Sequence, residues 1–171
     1  VAIARFAQLR QDVDVVIKMK WEKPWRCHIE EALRDSSIRL EGLNNLSITS
    51  DANVLGLLST ADVVVGFGST TLLEAGLYGI PVIVPHFAEA SSDLYADKVL
   101  LLDEYNCFTI ARSSEDLISL LHESVDSNIS VDRFVLARRN VFEKWISPLD
   151  GLATSRWVSC LKEICSNSSG V

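Results

Sequence analysis

The residue types and spacings best suited to chemistry fall in Gly66-Phe67-Gly68-Ser69-Thr70-Thr71 and in Glu74, one turn further on. Val63 to Val65, a β-branched run of the kind buried on both faces of a parallel sheet, leads into them. Ser69 can cap a helix starting near Thr70, Gly79 stops that helix and Pro81 opens the next strand. Gly68, Ser69, Thr70 and Thr71 therefore lie at the carboxyl end of a strand, with their amides at a helix N-terminus. Open α/β sheets take anionic ligands there, and hydroxyls beside amides suit a diphosphate. Glu74 either accepts the two hydroxyls of a ribose or is a first-turn acid favoured by the helix dipole. No Gly-Lys-Ser/Thr follows, which excludes a Walker loop. Thr71 stands where a dinucleotide fingerprint needs glycine or alanine.

Elsewhere the reactive types are scattered. Lys18 and Lys20 end a strand on one face, either as solvent-facing punctuation or as cations for a phosphate. His86 follows a strand end on the ligand side and is the candidate catalytic residue. As a lone residue it also reads as a loop histidine. His28 stands apart, and His122 sits in a predicted helix as an exposed residue. Asp12-Val13-Asp14 precedes its strand and so faces the wrong edge for a metal-binding pair; no metal site is expected. Cys27, Cys107, Cys160 and Cys165 form no CxxC and read as reduced structural thiols.

The elements that must position these groups alternate. Val1–Leu9 is read as a helix, Val13–Met19 as a strand, 21–27 as a loop and His28–Arg34 as a short helix. Leu46–Thr49 is the second strand, and Ser50, Asp51 and Asn53 are candidate caps for a helix over Val54–Thr60. The Val82–Val84 strand, a helix over 93–101, the strand Cys107–Ile110 and a helix capped by Ser113 or Ser114 follow. A basic helix over 131–145, with Arg133, Arg138, Arg139 and Lys144, is read as a solvated face, the alternative being that one arginine reaches a phosphate. A last helix runs from Asp150-Gly151 to Ile164, and 166–171 is read as a disordered tail. Alternation at this spacing implies a Rossmann-like, doubly wound parallel sheet in three α/β/α layers.

At 171 residues the chain fits one domain over 1–165, and 48% hydrophobic residues describe a globular protein. No apolar run reaches the roughly 18–20 residues of a membrane span. A net charge of −7 argues against nucleic acid as the main partner. Val1 is not a natural start, so a piece of something longer is expected.

The run Asn53-Val54-Leu55-Gly56-Leu57-Leu58-Ser59-Thr60-Ala61-Asp62-Val63-Val64-Val65-Gly66, then Gly68-Ser69-Thr70-Thr71-Leu72-Leu73-Glu74-Ala75, then Gly79-Ile80-Pro81-Val82-Ile83, resembles the C-terminal, donor-binding half of GT-B glycosyltransferases. The likeness is to enzymes of surface polysaccharide synthesis and the CDP-glycerol glycerophosphotransferase group. Asp150-Gly151-Leu152-Ala153-Thr154-Ser155-Arg156 is similar to a segment near the end of that group. The resemblance implies metal-independent transfer from a UDP-, CDP- or GDP-linked sugar or polyol, without a cofactor. Gly68, Ser69, Thr70 and Thr71, with Lys18 or Lys20, would hold the donor diphosphate, and Glu74 the ribose. The loop of Thr49, Ser50, Asp51, Asn53 and Val54 would flank the base, and His86 would approach the transferred group. The family's N-terminal acceptor domain is missing from this sequence, so the fragment alone should bind donor weakly and transfer nothing. A cytoplasmic location, including the inner membrane surface, goes with that chemistry. The alternatives are half of a UDP-sugar 2-epimerase-like enzyme and a non-catalytic nucleotide-binding module.

Overall fold

The computed structural model describes residues 1–20, 23–66, 68–92, 104, 107–126 and 134–168. In chain order the elements are α1 (Ala2–Leu9), β1 (Val15–Lys18), α2 (Trp25–Asp35), β2 (Leu46–Thr49), α3 (Val54–Leu58) and β3 (Val64–Val65). Then come α4 (Thr71–Leu77), β4 (Val82–Pro85), β5 (Thr109–Ala111), α5 (Ser114–Asp126), α6 (Val135–Trp145) and α7 (Ala153–Ser168). Short 3-10 turns cover Leu40–Gly42 and Ala88–Ser91.

Among the described residues every strand pairing is parallel, as the β/α alternation requires, but the strands form two ladders instead of one. β1 pairs with β2, Val15 opposite Leu46 through Lys18 opposite Thr49. β4 is central in the other, with Val64 opposite Val82 on one side and Ile83 opposite Thr109 on the other. Between the ladders β1 and β3 meet through side chains: Val13, Val15, Val63 and Val65 share one apolar cluster with Phe6 of α1 and Leu117 and Leu121 of α5. A two-residue β3 has too little edge to recruit β1 by backbone bonding alone. Side-chain packing joins them instead.

Two-residue periodicity distributes the core. Val82 and Val84 point to the cluster built by Leu58 of α3, Leu72, Leu73 and Ala75 of α4, and Val141 of α6. Ile83 points the other way, to α1 and α5. The β3–β4–β5 ladder is thus covered on both faces, a three-layer arrangement, and each fully buried aliphatic there contributes about 1.5–3 kcal/mol. Among the described residues the β1–β2 ladder is covered on one. Leu46 packs with Leu33 and Ile38, while Val16 on the opposite face is 42% exposed.

Polar clasps set the local geometry. Asn45 Nδ2 donates to the carbonyls of Ala7, Arg10 and Val13 at 3.1, 2.9 and 2.8 Å, fixing the turn from α1 into β1. Arg10 pairs with Asp12 and Asp126, tying the end of α1 to the end of α5. That guanidinium holds the Asp12 carboxyl down at about 2, while Arg10 itself is raised. His122, expected to be exposed, is half-buried with its ring edge-on to Phe6 at 5.1 Å.

The expected solvated face of α6 fails at one position. Arg139 and Lys144 are exposed, but Arg138 is fully buried. It falls on the inward stripe with Ala137, Val141 and Phe142, and donates to Cys107 O and Ile80 O, both at 2.9 Å. Phe108 and Phe134 lie 5.3 and 5.6 Å from the guanidinium carbon, within cation–π range. Other boundaries move too. Trp25 already opens α2, shortening the expected loop, and α7 continues to Ser168, so 166–168 are helical where a tail was expected. The helix expected over 93–101 and Arg133 lie outside the described residues. No helix among the described residues is long and apolar enough to cross a membrane.

Candidate functional site

α4 carries the centre of the candidate site, and its sequence explains both its ends. Thr70 is the residue before the helix and makes no side-chain cap. Ser69, the expected cap, instead accepts the Thr71 amide on its Oγ at 3.2 Å. The Leu72 and Leu73 amides close onto the carbonyls of Ser69 and Thr70. Gly68, at φ +67°, makes the left-handed turn that brings the chain off β3, which only glycine adopts cheaply. At the far end Gly79, at φ +75°, terminates the helix. Its amide reaches Gly76 O at 3.3 Å and the Ile80 amide reaches Ala75 O at 3.2 Å, the two bonds of a Schellman motif.

Gly68, Ser69 and Thr70 are exposed, and Thr71 is half-buried. Thr71, Leu72 and Leu73 already give their amides to internal acceptors, so the turn offers the amides of Ser69 and Thr70, which have no acceptor among the described residues, and the hydroxyls. Glu74 is half-buried, and among the described residues its carboxylate has no hydrogen-bond or ionic partner. Hydroxyls, open amides and an uncommitted carboxylate thus stand together at the start of one helix. Only seven residues long, α4 has a weak dipole, so anion binding would rest on local donors.

His86 is the residue after β4, the strand beside β3, and its amide donates to Ala111 O at 2.8 Å. The ladder therefore sets it at the same carboxyl edge as the Gly68 turn. Lys18, Thr49, Ser50, Asp51, Asn53 and Val54 belong to the edge of the other ladder. There the loop is closed on itself. Thr49 Oγ1 accepts the Asp51 amide at 3.2 Å, Ser50 Oγ donates to Asp51 at 2.9 Å, and Asn53 Oδ1 accepts the Gly56 amide at 3.2 Å as the cap of α3. Lys18 Nζ donates to Met19 O and Ser50 O, both at 2.6 Å. Its ammonium clamps the ends of β1 and β2 together, a role that neither punctuation nor phosphate binding anticipates. Lys20 is exposed beyond it.

A cavity of about 510 Å3 lies away from the Gly68 turn, in the seam between the ladders. Val13, Val15, Val63, Val65 and Leu121 line it, with Lys18 among its polar residues; neither Ser69 nor Glu74 does. Its shape follows from β1 and β3 meeting by side chains alone, and its lining is mostly apolar, with Asp14, Lys18 and His28 as the polar residues.

Asp150-Gly151-Leu152-Ala153-Thr154-Ser155-Arg156 closes on itself. Asp150 Oδ1 accepts the Leu152 amide at 3.0 Å while its other oxygen faces Arg156, and Gly151 takes φ +74°. The Leu152 amide, with Arg156 behind it, lowers the Asp150 pKa. The segment starts α7. No disulfide joins the four cysteines, and of them only Cys107 is buried, with burial raising its pKa. No group of three or more potential metal ligands stands together among the described residues. Scans of protein-family models, curated proteins and solved structures each return no match.

The residue missed by sequence reasoning is Arg138, which is structural. Its signal is the inward spacing it shares with Phe134, Val141 and Phe142, together with a glycine, Gly76, in mid-helix opposite. A Cβ on Gly76 would stand 2.8 Å from Arg138 Cδ.

Proposed function

We propose that this chain is the donor-binding half of a two-domain transferase, of the GT-B kind that moves a glycosyl or polyol-phosphate group in surface polysaccharide synthesis at the cytoplasmic side of the membrane. One observation carries the reading: in the Gly68-Ser69-Thr70-Thr71 turn the exposed Ser69 and Thr70 have open donors, and the uncommitted Glu74 carboxylate sits one turn behind them, at the carboxyl edge of a parallel strand. The donor is a nucleoside diphosphate sugar or polyol. Its diphosphate is held by the amides and hydroxyls of Ser69 and Thr70, and its ribose hydroxyls by Glu74. The base lies along the Thr49–Val54 backbone, whose own polar side chains are engaged locally and so recognise it by shape and main-chain contact.

In transfer, negative charge builds on the departing nucleoside diphosphate. Donors already aimed at it stabilise that charge without reorganising, which is the role given to the turn in place of a metal ion. Lys18 contributes through the loop it clamps, and His86, on the adjoining strand end, faces the transferred group. The acceptor and its general base belong to the other half, so this half binds donor and transfers nothing by itself. Calorimetric titration with UDP, CDP, GDP and their sugars tests the reading. Binding of one of them, lost in Ser69→Ala/Glu74→Ala, is expected. No change of melting temperature with any nucleotide at millimolar concentration would overturn it.

A further inference from the structure

Among the described residues, every α7 residue from Ala153 to Ser166 is exposed, although the helix is amphipathic. At 100° per residue, Ala153, Trp157, Cys160, Leu161, Ile164 and Val158 fall within an arc of about 160°. Thr154 and Cys165 lie in the same arc, and Lys162, Ser155, Ser166, Ser159, Glu163 and Arg156 fill the rest. Trp157, Leu161, Ile164 and Val158 are 69, 54, 57 and 45% exposed. With Leu149 and Leu152 they leave on the order of 600 Å2 of apolar surface in water, the scale of an interaction site rather than of scattered surface residues.

We propose that α7 pairs with α7 of a second copy of this chain, antiparallel about a two-fold axis. The helix is self-complementary in size and in charge. Ala153, Trp157, Cys160 and Ile164 form a seam spaced by four, three and four residues. Antiparallel pairing about a centre between Val158 and Ser159 sets Trp157 against Cys160 and Ala153 against Ile164. Each layer then joins one large side chain to one small one. Arg156 and Glu163 are seven residues apart, on the same edge of the seam. In this register that edge meets its own copy, and Arg156 of each chain comes opposite Glu163 of the other, giving two symmetric ion pairs. Arg156 also faces Asp150 of its own chain, and its planar fork has donors for a second carboxylate. The seam holds no charge that a copy of itself would repel.

Sedimentation equilibrium on the 171-residue chain tests the pairing. The expected result is a concentration-dependent shift from 18.9 kDa to twice that mass. Glu163→Arg, which sets arginine against arginine, should weaken association about tenfold. Arg156→Glu/Glu163→Arg should restore it, with circular dichroism confirming that both variants keep their helices. A chain that stays monomeric at ~200 µM overturns the proposal. So does a dimer indifferent to Glu163→Arg, a double swap that fails to recover association, or α7 binding phosphatidylglycerol vesicles while the chain remains monomeric.

Discussion

At the carboxyl end of α4 the polar groups are closed and the packing is tight. Gly79 and Ile80 cap the last carbonyls, and Gly76 lets a fully buried Arg138 lie against the helix and donate to Ile80 O and Cys107 O. At the amino end, seven residues away, Ser69 and Thr70 stand in solvent with open amides, and Glu74 has an uncommitted carboxylate. One short helix thus has a structural end and an open end. Charge alone does not distinguish them. The buried cation, Arg138, is at the closed end, where it joins α6 to the sheet. What separates them is whether polar groups find partners within the fold.

The largest effect should come from breaking the closed end. Arg138→Ala removes two donors and the stacking on Phe108 and Phe134, leaving a void and two buried carbonyls. Urea denaturation should show a loss of about 3–5 kcal/mol. Gly76→Ala should cost about 1–3 kcal/mol, because its Cβ meets Arg138 Cδ at 2.8 Å, Cβ at 3.0 Å and Cγ at 3.4 Å, and a buried side chain cannot swing away. A gain in stability from Gly76→Ala, as bare helix propensity would give, would show that α6 does not press on α4 there.

At the open end the pattern should reverse. Glu74→Gln should leave stability within ~0.5 kcal/mol yet weaken nucleoside diphosphate binding about tenfold, read by calorimetry. Ser69→Ala should do both, since it removes the acceptor for the Thr71 amide, about 1 kcal/mol, as well as a hydroxyl at the turn.

The smallest effect lies far from α4. Asp12 has its pKa lowered to about 2 in the fold, from an ordinary 3.8, by Arg10. A depressed carboxyl stabilises the fold above its unfolded pKa and loses that contribution as pH falls through the folded one. Thermal unfolding should therefore show a decline between about pH 4 and pH 2 that is reduced in Asp12→Asn. The pair is surface-exposed, so the change should be modest.

Local rules on local residues were legible in the sequence. Leu46–Thr49 was bounded correctly because its strand pattern is flanked by turn residues, Asn53 caps α3, and Gly79 ends α4 through its left-handed φ. The parallel, alternating architecture was legible for the same reason. What failed depends on partners distant in sequence. Arg138 reads as a surface residue until Ile80 and Cys107, 58 and 31 positions away, supply its acceptors. Lys18 reads as a free cation until Ser50 O arrives from the next loop. The break between β1 and β3 reflects side-chain packing that no periodicity encodes. Of the candidate site, Gly68, Ser69, Thr70, Thr71 and Glu74 stand together in sequence as in space, at the start of α4, whereas the Thr49–Val54 loop sits at the end of the other ladder.

The central claim, that α4 binds ligand at its open end, is tested most directly by following backbone amide resonances while CDP or UDP is titrated into the isotopically labelled chain. The amides of Ser69, Thr70, Thr71 and Glu74 should shift along saturable curves while those of Gly76, Gly79 and Ile80 stay in place. Saturable shifts confined to Val15, Val65 and Leu121 at the seam between the ladders, or saturation unchanged in Ser69→Ala/Glu74→Ala, would contradict it.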